Sequence, residues 1–261
     1  MKYVRFEAKG AASYGIVEGD KAVRIDGTPF GKWQKTADAF PLAGVRLLAP
    51  SEPSKIVCLG LNYADHAKEA GQPLPPEPLL FMKPSTAVLD PEGPILYPPT
   101  SKRVDYEAEL AVVIGKAARN VKPDGWAEYV LGYTCFNDVT ARDLQARDGQ
   151  WTRAKGFDTF APMGPWITDE VSPDDLAIEA RVNGAVKQRS RTSQLIFPPS
   201  YLVPFISGIM TLLPGDVIAT GTPSGISGMS VGDVVEVEIE GIGVLRNRVA
   251  SPPSDCPCCV Y

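Results

Sequence analysis

The segment 104–115, VDYEAELAVVIG, constrains the fold of this chain more than any other feature. Its carboxylates Asp105, Glu107 and Glu109 are spaced by two residues, and on a β-strand this spacing places all three on one face. From Leu110 to Ile114 every residue is apolar, which predicts that the strand continues into a core. Because carboxylates at the entrance to a core need a counter-charge, the segment predicts a buried sheet with a charged end.

Short apolar runs separated by prolines and glycines recur along the rest of the chain, a pattern typical of strands joined by turns. The runs KIVCLG, LLFMKP and VLGYTCFND predict further buried strands, and the Asn-Gly pair at 183–184 predicts a tight hairpin. Helical patterns are few; they lie at 122–130, 142–147 and 200–210, the last with Ser200 as its N-cap. We therefore predict a mainly β fold of the α+β class.

The same pattern divides the chain into three parts. Residues 1–50 contain hairpin signals and predict a small N-terminal β module. Residues 51–250 hold the more apolar strands and predict one larger β domain with short helices. Residues 251–261 predict a cysteine-rich tail that is disordered or loosely packed.

Charge and hydropathy argue against several classes of partner. The chain has 26 Lys and Arg residues against 31 Asp and Glu residues, and this net charge of −5 disfavours binding to nucleic acid or to an anionic membrane. The longest apolar stretch, 201–213, is broken by Pro204 and is too short to span a bilayer. The first residues lack the apolar core of a signal peptide, so we expect a cytoplasmic protein.

The five cysteines predict no disulfide framework. Cys58 and Cys135 lie inside apolar runs and are expected to be buried, reduced thiols. Three further cysteines crowd into the tail without a nearby fourth ligand for zinc, so a tail metal site is not favoured: Cys256, Cys258 and Cys259.

The acidic segment is also the first candidate for a functional site. Asp138 follows the apolar run VLGYTCF, so it too lies at the end of a predicted buried strand. Clustered carboxylate oxygens suit Mg²⁺, Mn²⁺ or Ca²⁺. The alternative, which the spacing alone favours, is a solvated acidic strand edge that binds no metal.

The second candidate contains the single histidine of the chain. His66 and Glu69 are three residues apart, so on a helix Glu69 could accept a hydrogen bond from the imidazole and increase its basicity. Such a pair can deprotonate a water molecule. A histidine on a polar surface loop is the alternative, and it is the commoner case for an isolated histidine.

Two further segments carry groups that suit an anion. Arg142 and Gln145 lie three residues apart, and Lys155 lies in an apolar-flanked stretch, so their side chains could neutralise carboxylates or bind an anionic substrate. In ATGTPSG, a strand ends in a turn whose N–H groups and Thr222 hydroxyl could hold a carboxylate. Surface charge and a plain turn are the alternatives. No Walker loop or GxSxG nucleophile elbow is present.

Seven segments in this order resemble the fumarylacetoacetate hydrolase family: GLNYADHAKE, FMKPSTA, DYEAELAVVIGK, YTCFNDVTARDLQ, WTRAKGFDTFAPMGPWI, SRTSQLIF and PGDVIATGTPSG. The likeness runs from about Lys55 to Val249, and residues 1–50 resemble the small N-terminal module of the short bacterial members. The resemblance implies a mixed β-sandwich roll, a homodimer and one divalent metal ion, Mg²⁺ or else Mn²⁺ or Ca²⁺, in each subunit.

The resemblance also implies roles for individual residues. It gives the metal ligands as Glu107, Glu109 and Asp138, with Asp105 as their neighbour and Lys83 beside the pocket. It gives the catalytic groups as His66 and Glu69, on a mobile lid, together with Lys155. It gives the groups that line a 2-oxo-acid pocket as Arg142, Gln145, Lys155 and Thr222.

The implied function is metal-dependent cleavage of acylpyruvate-like 2-oxo acids through a stabilised enolate, with hydrolysis of a C–C bond favoured. The alternative keeps the enolate and changes its fate, as in 2-hydroxyhepta-2,4-diene-1,7-dioate isomerase or the 5-carboxymethyl-2-oxo-hex-3-ene-1,7-dioate decarboxylase of aromatic catabolism. A non-catalytic acidic β protein is the third alternative.

Overall fold

A computed structural model describes residues 1–69, 71 and 73–253 of the chain. The fold is mainly β, as predicted, with its strands in three sheets and its helices short. No helix in these residues is both long and apolar enough to cross a membrane. The tail cysteines Cys256, Cys258 and Cys259, and most of the tail predicted at 251–261, lie outside the described residues.

The strands in chain order are β1 (Lys2–Ala8), β2 (Ala11–Glu18), β3 (Lys21–Gly27), β4 (Trp33–Pro41), β5 (Arg46–Leu48), β6 (Ile56–Gly60), β7 (Leu79–Lys83), β8 (Val88–Leu89), β9 (Pro94–Leu96), β10 (Val104–Asp105), β11 (Ala108–Ile114), β12 (Val130–Asn137), β13 (Thr140–Ala141), β14 (Ala161–Thr168), β15 (Ala177–Val182), β16 (Ala185–Arg191), β17 (Val217–Ala219), β18 (Gly228–Met229), β19 (Val234–Ile239) and β20 (Gly243–Ala250). The helices are α1 (Ala64–Glu69), α2 (Arg142–Asp148), α3 (Thr152–Lys155) and α4 (Pro199–Ile209). Short 3₁₀ helices cover Leu42–Gly44, Ser85–Ala87, Pro123–Tyr129 and Thr192–Gln194.

The largest sheet has twelve strands, ten of them in the order β4-β3-β2-β1-β14-β12-β11-β17-β6-β7. Most neighbours are antiparallel, but β17 runs parallel to β6, so the sheet is mixed. The N-terminal strands join it through β1, which pairs with β14 at Lys2 and Thr168. Five further strands form a second sheet in the order β16-β15-β19-β20-β9, whose hairpin β15–β16 turns at the predicted Asn-Gly pair.

Strand β11 lies in the core of the fold, since every one of its seven residues is buried. Leu110 and Val112 pack in a core cluster that also contains the inward residues of β15 and β19, such as Ile178 and Val237. Ala111 and Val113 belong to a second cluster with residues of β6, β14 and β17. The continuous apolar run therefore reflects a strand that is covered on both faces.

Two predicted elements differ from the structure. The segment 104–115 is not one strand: β10 belongs to a small sheet with β13 and β18, and the chain leaves strand geometry at Tyr106 and Glu107 before β11 begins. The N-cap prediction at Ser200 was wrong, because α4 begins at Pro199 and its cap is Pro198. Proline at the first helical position has its φ preset and needs no donor, so it starts the helix one residue earlier. The helix at 142–147 is confirmed, and 122–130 is helical but of the 3₁₀ type.

Candidate active site

The register of two antiparallel strands brings three carboxylates together. Ala108 of β11 pairs with Asn137 of β12, so Glu107 and Glu109 flank the position where Asp138 leaves its strand. The three side chains are buried, and they offer oxygen atoms that all lie within 4.8 Å of one another. The pairing of β11 with β12 therefore sets the positions of all three carboxylates, although Glu107 and Asp138 lie just outside the two strands.

Asp105, the third carboxylate of the predicted row, is not part of this cluster. Its fully buried carboxylate accepts hydrogen bonds from Arg103 Nε and Nη2, at 2.8 and 3.0 Å, and from Arg142 Nε at 2.9 Å. The break in the strand before Ala108 puts it in the small sheet instead. The expectation that Asp105 shares one strand face with Glu107 and Glu109 was therefore wrong.

Two buried lysines lie against the carboxylate cluster. Lys155 Nζ donates to Glu107 Oε2 at 3.0 Å and to Asp138 Oδ2 at 2.6 Å. Lys83 Nζ donates to the carbonyl oxygens of Val139, Lys155 and Phe160 at 2.6 to 3.0 Å, which uses its three protons. Its contact of 2.7 Å with Asp138 Oδ1 is therefore ionic and leaves that oxygen without a hydrogen bond.

The electrostatics separate the two glutamates of the cluster. Burial alone would raise the pKa of Glu107, but Lys155 and Arg142 outweigh it and lower that pKa to about 2. Burial and the nearby Asp138 and Glu107 carboxylates raise the pKa of Glu109 well above its usual value. For Lys155, burial lowers the pKa, and the carboxylates of Asp138 and Glu107 outweigh it and raise the pKa to about 12.

Among the residues that the structure describes, one oxygen of the cluster has no partner. Glu109 Oε2 accepts the backbone N–H of Gly221 at 2.8 Å, but Glu109 Oε1 is buried without any hydrogen bond. An unpaired buried carboxylate oxygen costs free energy unless something binds to it. Three carboxylates that present free or ionically paired oxygens fit a hard divalent cation such as Mg²⁺ or Mn²⁺.

A cavity of 330 Å³ opens beside the cluster and brings most of the predicted site residues together. Its polar lining consists of His66, Glu107, Arg142, Gln145, Lys155 and Thr222. His66 lies on α1, and its Nδ1 is 3.3 Å from Glu69 Oε2, as helical spacing predicted. Glu69 is half-exposed, is not in the cavity lining, and also accepts the backbone N–H of Gly225 at 3.3 Å.

Arg142 begins α2 and faces three partners at once. Its Nε donates to Asp105, one Nη donates to Gln145 Oε1 at 2.5 Å, and the other lies in close contact with Glu107 Oε1. A guanidinium has five N–H groups, so these bonds leave two of them. The Gln145 oxygen faces Arg142, which leaves its amide nitrogen as the donor for a ligand.

Three contributors to the site were not assigned from the sequence. Phe81 and Trp151 form an apolar wall of the cavity, with ring centroids 5.2 Å apart and nearly perpendicular planes. Both residues lie in segments that resemble the family, but no sequence periodicity distinguishes an aromatic residue in a pocket wall from one in the hydrophobic core. The third is Gln188 of β16, a buried amide that donates to Thr222 Oγ1 at 2.9 Å.

Two family models match the chain. The model described as fumarylacetoacetate (FAA) hydrolase C-terminal matches residues 55–250, and one described as Rv2993c-like, N-terminal matches residues 1–50. Among relatives, the chain is 44% identical to a mitochondrial oxaloacetate tautomerase of Bos taurus, over 94% of this chain and 79% of that protein.

Solved structures resemble the chain over nearly its whole length. The 2-hydroxyhepta-2,4-diene-1,7-dioate isomerase from Mycobacterium marinum has a TM-score of 0.90 and 44% identity, and the match covers 97% of this chain and all of that one. Maleylpyruvate hydrolase from Sphingobium sp. SYK-6, in complex with a manganese(II) ion and pyruvate, has a TM-score of 0.81 and 30% identity with the same coverage.

Proposed function

The chain belongs to the fumarylacetoacetate hydrolase family, and from that premise we propose that it is a divalent-cation-dependent enzyme that interconverts the enol and keto forms of a 2-oxo acid. One observation carries the proposal: a 330 Å³ cavity brings Glu107 of the carboxylate cluster together with the imidazole of His66 and the donors of Arg142 and Gln145. The cavity thus combines groups for holding an anion with a group for moving a proton.

Glu107, Glu109 and Asp138 would hold the cation, Mg²⁺ or else Mn²⁺ or Ca²⁺, through the oxygens that the protein leaves free. When bound, the cation supplies Lewis-acid stabilisation of negative charge on the oxygen at carbon 2 of the substrate. The three carboxylates carry −3 and the two lysines against them carry +2, so a dication leaves this group at about +1 and favours an anionic ligand.

The chain's own residues bind and orient that ligand. The two remaining N–H groups of Arg142 and the amide nitrogen of Gln145 can hold a carboxylate in a fixed direction, because Asp105 and Glu107 fix the guanidinium. The ammonium of Lys155 keeps a positive charge beside the carbon chain as negative charge develops. Phe81 and Trp151 exclude water from the apolar part of the cavity lining.

His66 is the group that we propose to move the proton. With Nδ1 next to Glu69, the other ring nitrogen is left to exchange a proton with the ligand. In a tautomerase or isomerase, it removes or returns a proton on the substrate carbon chain. The carboxylate of Glu69 stabilises the imidazolium that forms when the proton is taken up.

Hydrolysis of a C–C bond in an acylpyruvate is the second candidate, and the His66–Glu69 pair favours it because such a pair can activate water. The sequence motifs favoured this reaction over isomerisation. We rank isomerisation first because the tautomerase and the isomerase are 44% identical to this chain and the maleylpyruvate hydrolase is 30% identical. Decarboxylation of a 2-oxo dicarboxylate is a third fate of the same enolate.

Ultraviolet absorbance of the enol tests the proposal directly. Purified protein is mixed with oxaloacetate, 2-hydroxyhepta-2,4-diene-1,7-dioate or an acylpyruvate, with Mg²⁺ or with EDTA, and the products are identified by NMR. We expect faster loss of the enol band with Mg²⁺ only, and products with the carbon skeleton intact. Cleaved products support the hydrolase. An absence of turnover across the panel with either Mg²⁺ or Mn²⁺ contradicts both reactions.

The resemblance also leads us to propose a homodimer. Light scattering coupled to gel filtration measures this state, and a mass of 28.0 kDa, that of one chain, would contradict it.

A further inference from the structure

The hydrogen bonds of Gln188 form a closed ring behind one wall of the cavity. Gln188 Oε1 accepts the backbone N–H of Ala108 at 2.9 Å, in the residue between the two clustered glutamates. Its Nε2 donates to Thr222 Oγ1 at 2.9 Å and to the carbonyl oxygen of Pro223 at 2.8 Å. The Thr222 hydroxyl lies 2.9 Å from the carbonyl oxygen of Ala108, which closes the ring.

Chemistry fixes the direction of every bond in this ring. A backbone N–H only donates and a carbonyl oxygen only accepts, so the Gln188 oxygen must face Ala108 and its nitrogen must face Pro223. The second amide proton then points at Thr222 Oγ1, and the hydroxyl proton points at the Ala108 carbonyl oxygen. With Gln188 donating to its oxygen, the Thr222 hydroxyl therefore directs its proton to Ala108 rather than to a ligand.

This ring changes the role that the sequence assigned to Thr222, whose hydroxyl was expected to hold a carboxylate. We propose that Gln188 is a positioning residue that keeps the Thr222 hydroxyl hydrogen-bonded to the carbonyl oxygen of Ala108. A ligand carboxylate is then held by the N–H groups of Arg142 and Gln145 instead. The inference rests on the proposed function, because it takes a 2-oxo acid or its mimic as the occupant of the cavity.

Three backgrounds test this assignment through the effect of Thr222→Val on oxalate binding. Calorimetry with saturating Mg²⁺ gives the oxalate affinity in the native protein, in Gln188→Met and in Gln188→Glu. Methionine has the length of glutamine but makes none of its hydrogen bonds, so the Thr222 hydroxyl is free to turn to the charged ligand, a stronger acceptor than a carbonyl. Glutamate keeps an acceptor for Ala108 and offers the hydroxyl another acceptor, so the proton stays away from the ligand.

We expect Thr222→Val to weaken oxalate binding at least about fivefold more in the Gln188→Met background than in the other two, since a hydrogen bond to a charged group is worth about tenfold or more in affinity. A change in packing alone does not separate methionine from glutamate in this way.

An equal loss in all three backgrounds, or a loss that is largest in the native protein, overturns the assignment. Where Gln188→Glu does not fold by circular dichroism, the native and Gln188→Met pair gives the same decision. Native protein that binds no oxalate with Mg²⁺ overturns the proposed function as well, and that result is distinct because it needs no variant.

Discussion

Replacing Glu109 by glutamine should reverse the order of stability between native protein and variant when a divalent cation is added. Glutamine has the same shape, and its amide oxygen still accepts the Gly221 N–H that Glu109 Oε2 accepts now. The change removes one of the three clustered carboxylates. It removes the one whose pKa is already raised by burial and by its neighbours. Without a cation the variant loses the repulsion of a third carboxylate, and with a cation it loses a ligand.

The magnitude follows from the spacing of the cluster. Two unit charges at 4.8 Å, the upper limit of the separation between these oxygens, repel by at least about 3.5 kcal/mol at an effective dielectric constant of about 20. Lys83 and Lys155 offset much of this repulsion, so we expect the variant to be about 1–3 kcal/mol more stable in EDTA. For a chain of this size, that difference raises Tm by about 2–10 °C.

The cation acts in the opposite direction. At a concentration of about 1,000 times Kd, a ligand that binds only the folded state stabilises it by about 4 kcal/mol, and only the native protein should gain this. Differential scanning calorimetry gives the Tm of the native protein and of the variant, first in EDTA and then in excess Mg²⁺ or Mn²⁺. The exposed Glu128, replaced by glutamine, is the control and should change neither Tm. Equal cation-induced shifts in native protein and Glu109→Gln would refute the assignment of Glu109 as a ligand.

The remaining predictions concern the cavity and the core thiols. His66→Ala should lower kcat by roughly 10²–10⁴ and leave the calorimetric Mg²⁺ affinity unchanged, and retention of most of the rate would exclude His66 as the proton carrier. Gly60→Ala should destabilise the fold by about 1–3 kcal/mol and raise KM, because the new methyl group would lie 2.8 and 2.9 Å from two ring atoms of Trp151. An unchanged Tm would contradict this packing. Burial raises the pKa of the Cys58 and Cys135 thiols, so Ellman's reagent should detect at most three of the five thiols before denaturation; detection of more would show that a core thiol is accessible.

The strands that could be predicted are those whose own residues form a recognisable local pattern. The apolar run of β11 and the Asn-Gly hairpin of β15 and β16 both form as expected. Strand β14 carried no such signal, since Pro162, Gly164 and Pro165 are residues that strands avoid. It forms because β12 and β1 pair with it on either side, and such long-range pairing leaves no local pattern.

In the candidate site too, some residues could be recognised from their local sequence, and others are placed only by the tertiary fold. Glu107 and Glu109 were visible because they precede a buried run, and Asp138 because it ends another. Gln188 was not visible, because it belongs to β16, a strand with mostly exposed side chains, and only the fold brings it beside Ala108. The break in the strand after Asp105 also depends on partners elsewhere, since Thr140 and Gly228 pair with that residue.

The charges around the cluster explain why so acidic a group can form in a core before any cation binds. Lys155 donates hydrogen bonds directly to Glu107 and Asp138. Lys83 donates its protons to backbone carbonyl oxygens, so its interaction with Asp138 is only ionic. In the part of the chain that the structure describes, two of the carboxylates are thus compensated and Glu109 keeps a buried, unpaired oxygen. Because a buried unpaired oxygen is costly, the free energy that a divalent cation recovers is concentrated at Glu109. For this reason, Glu109 rather than Glu107 or Asp138 is the position where substitution best separates cation binding from the integrity of the fold.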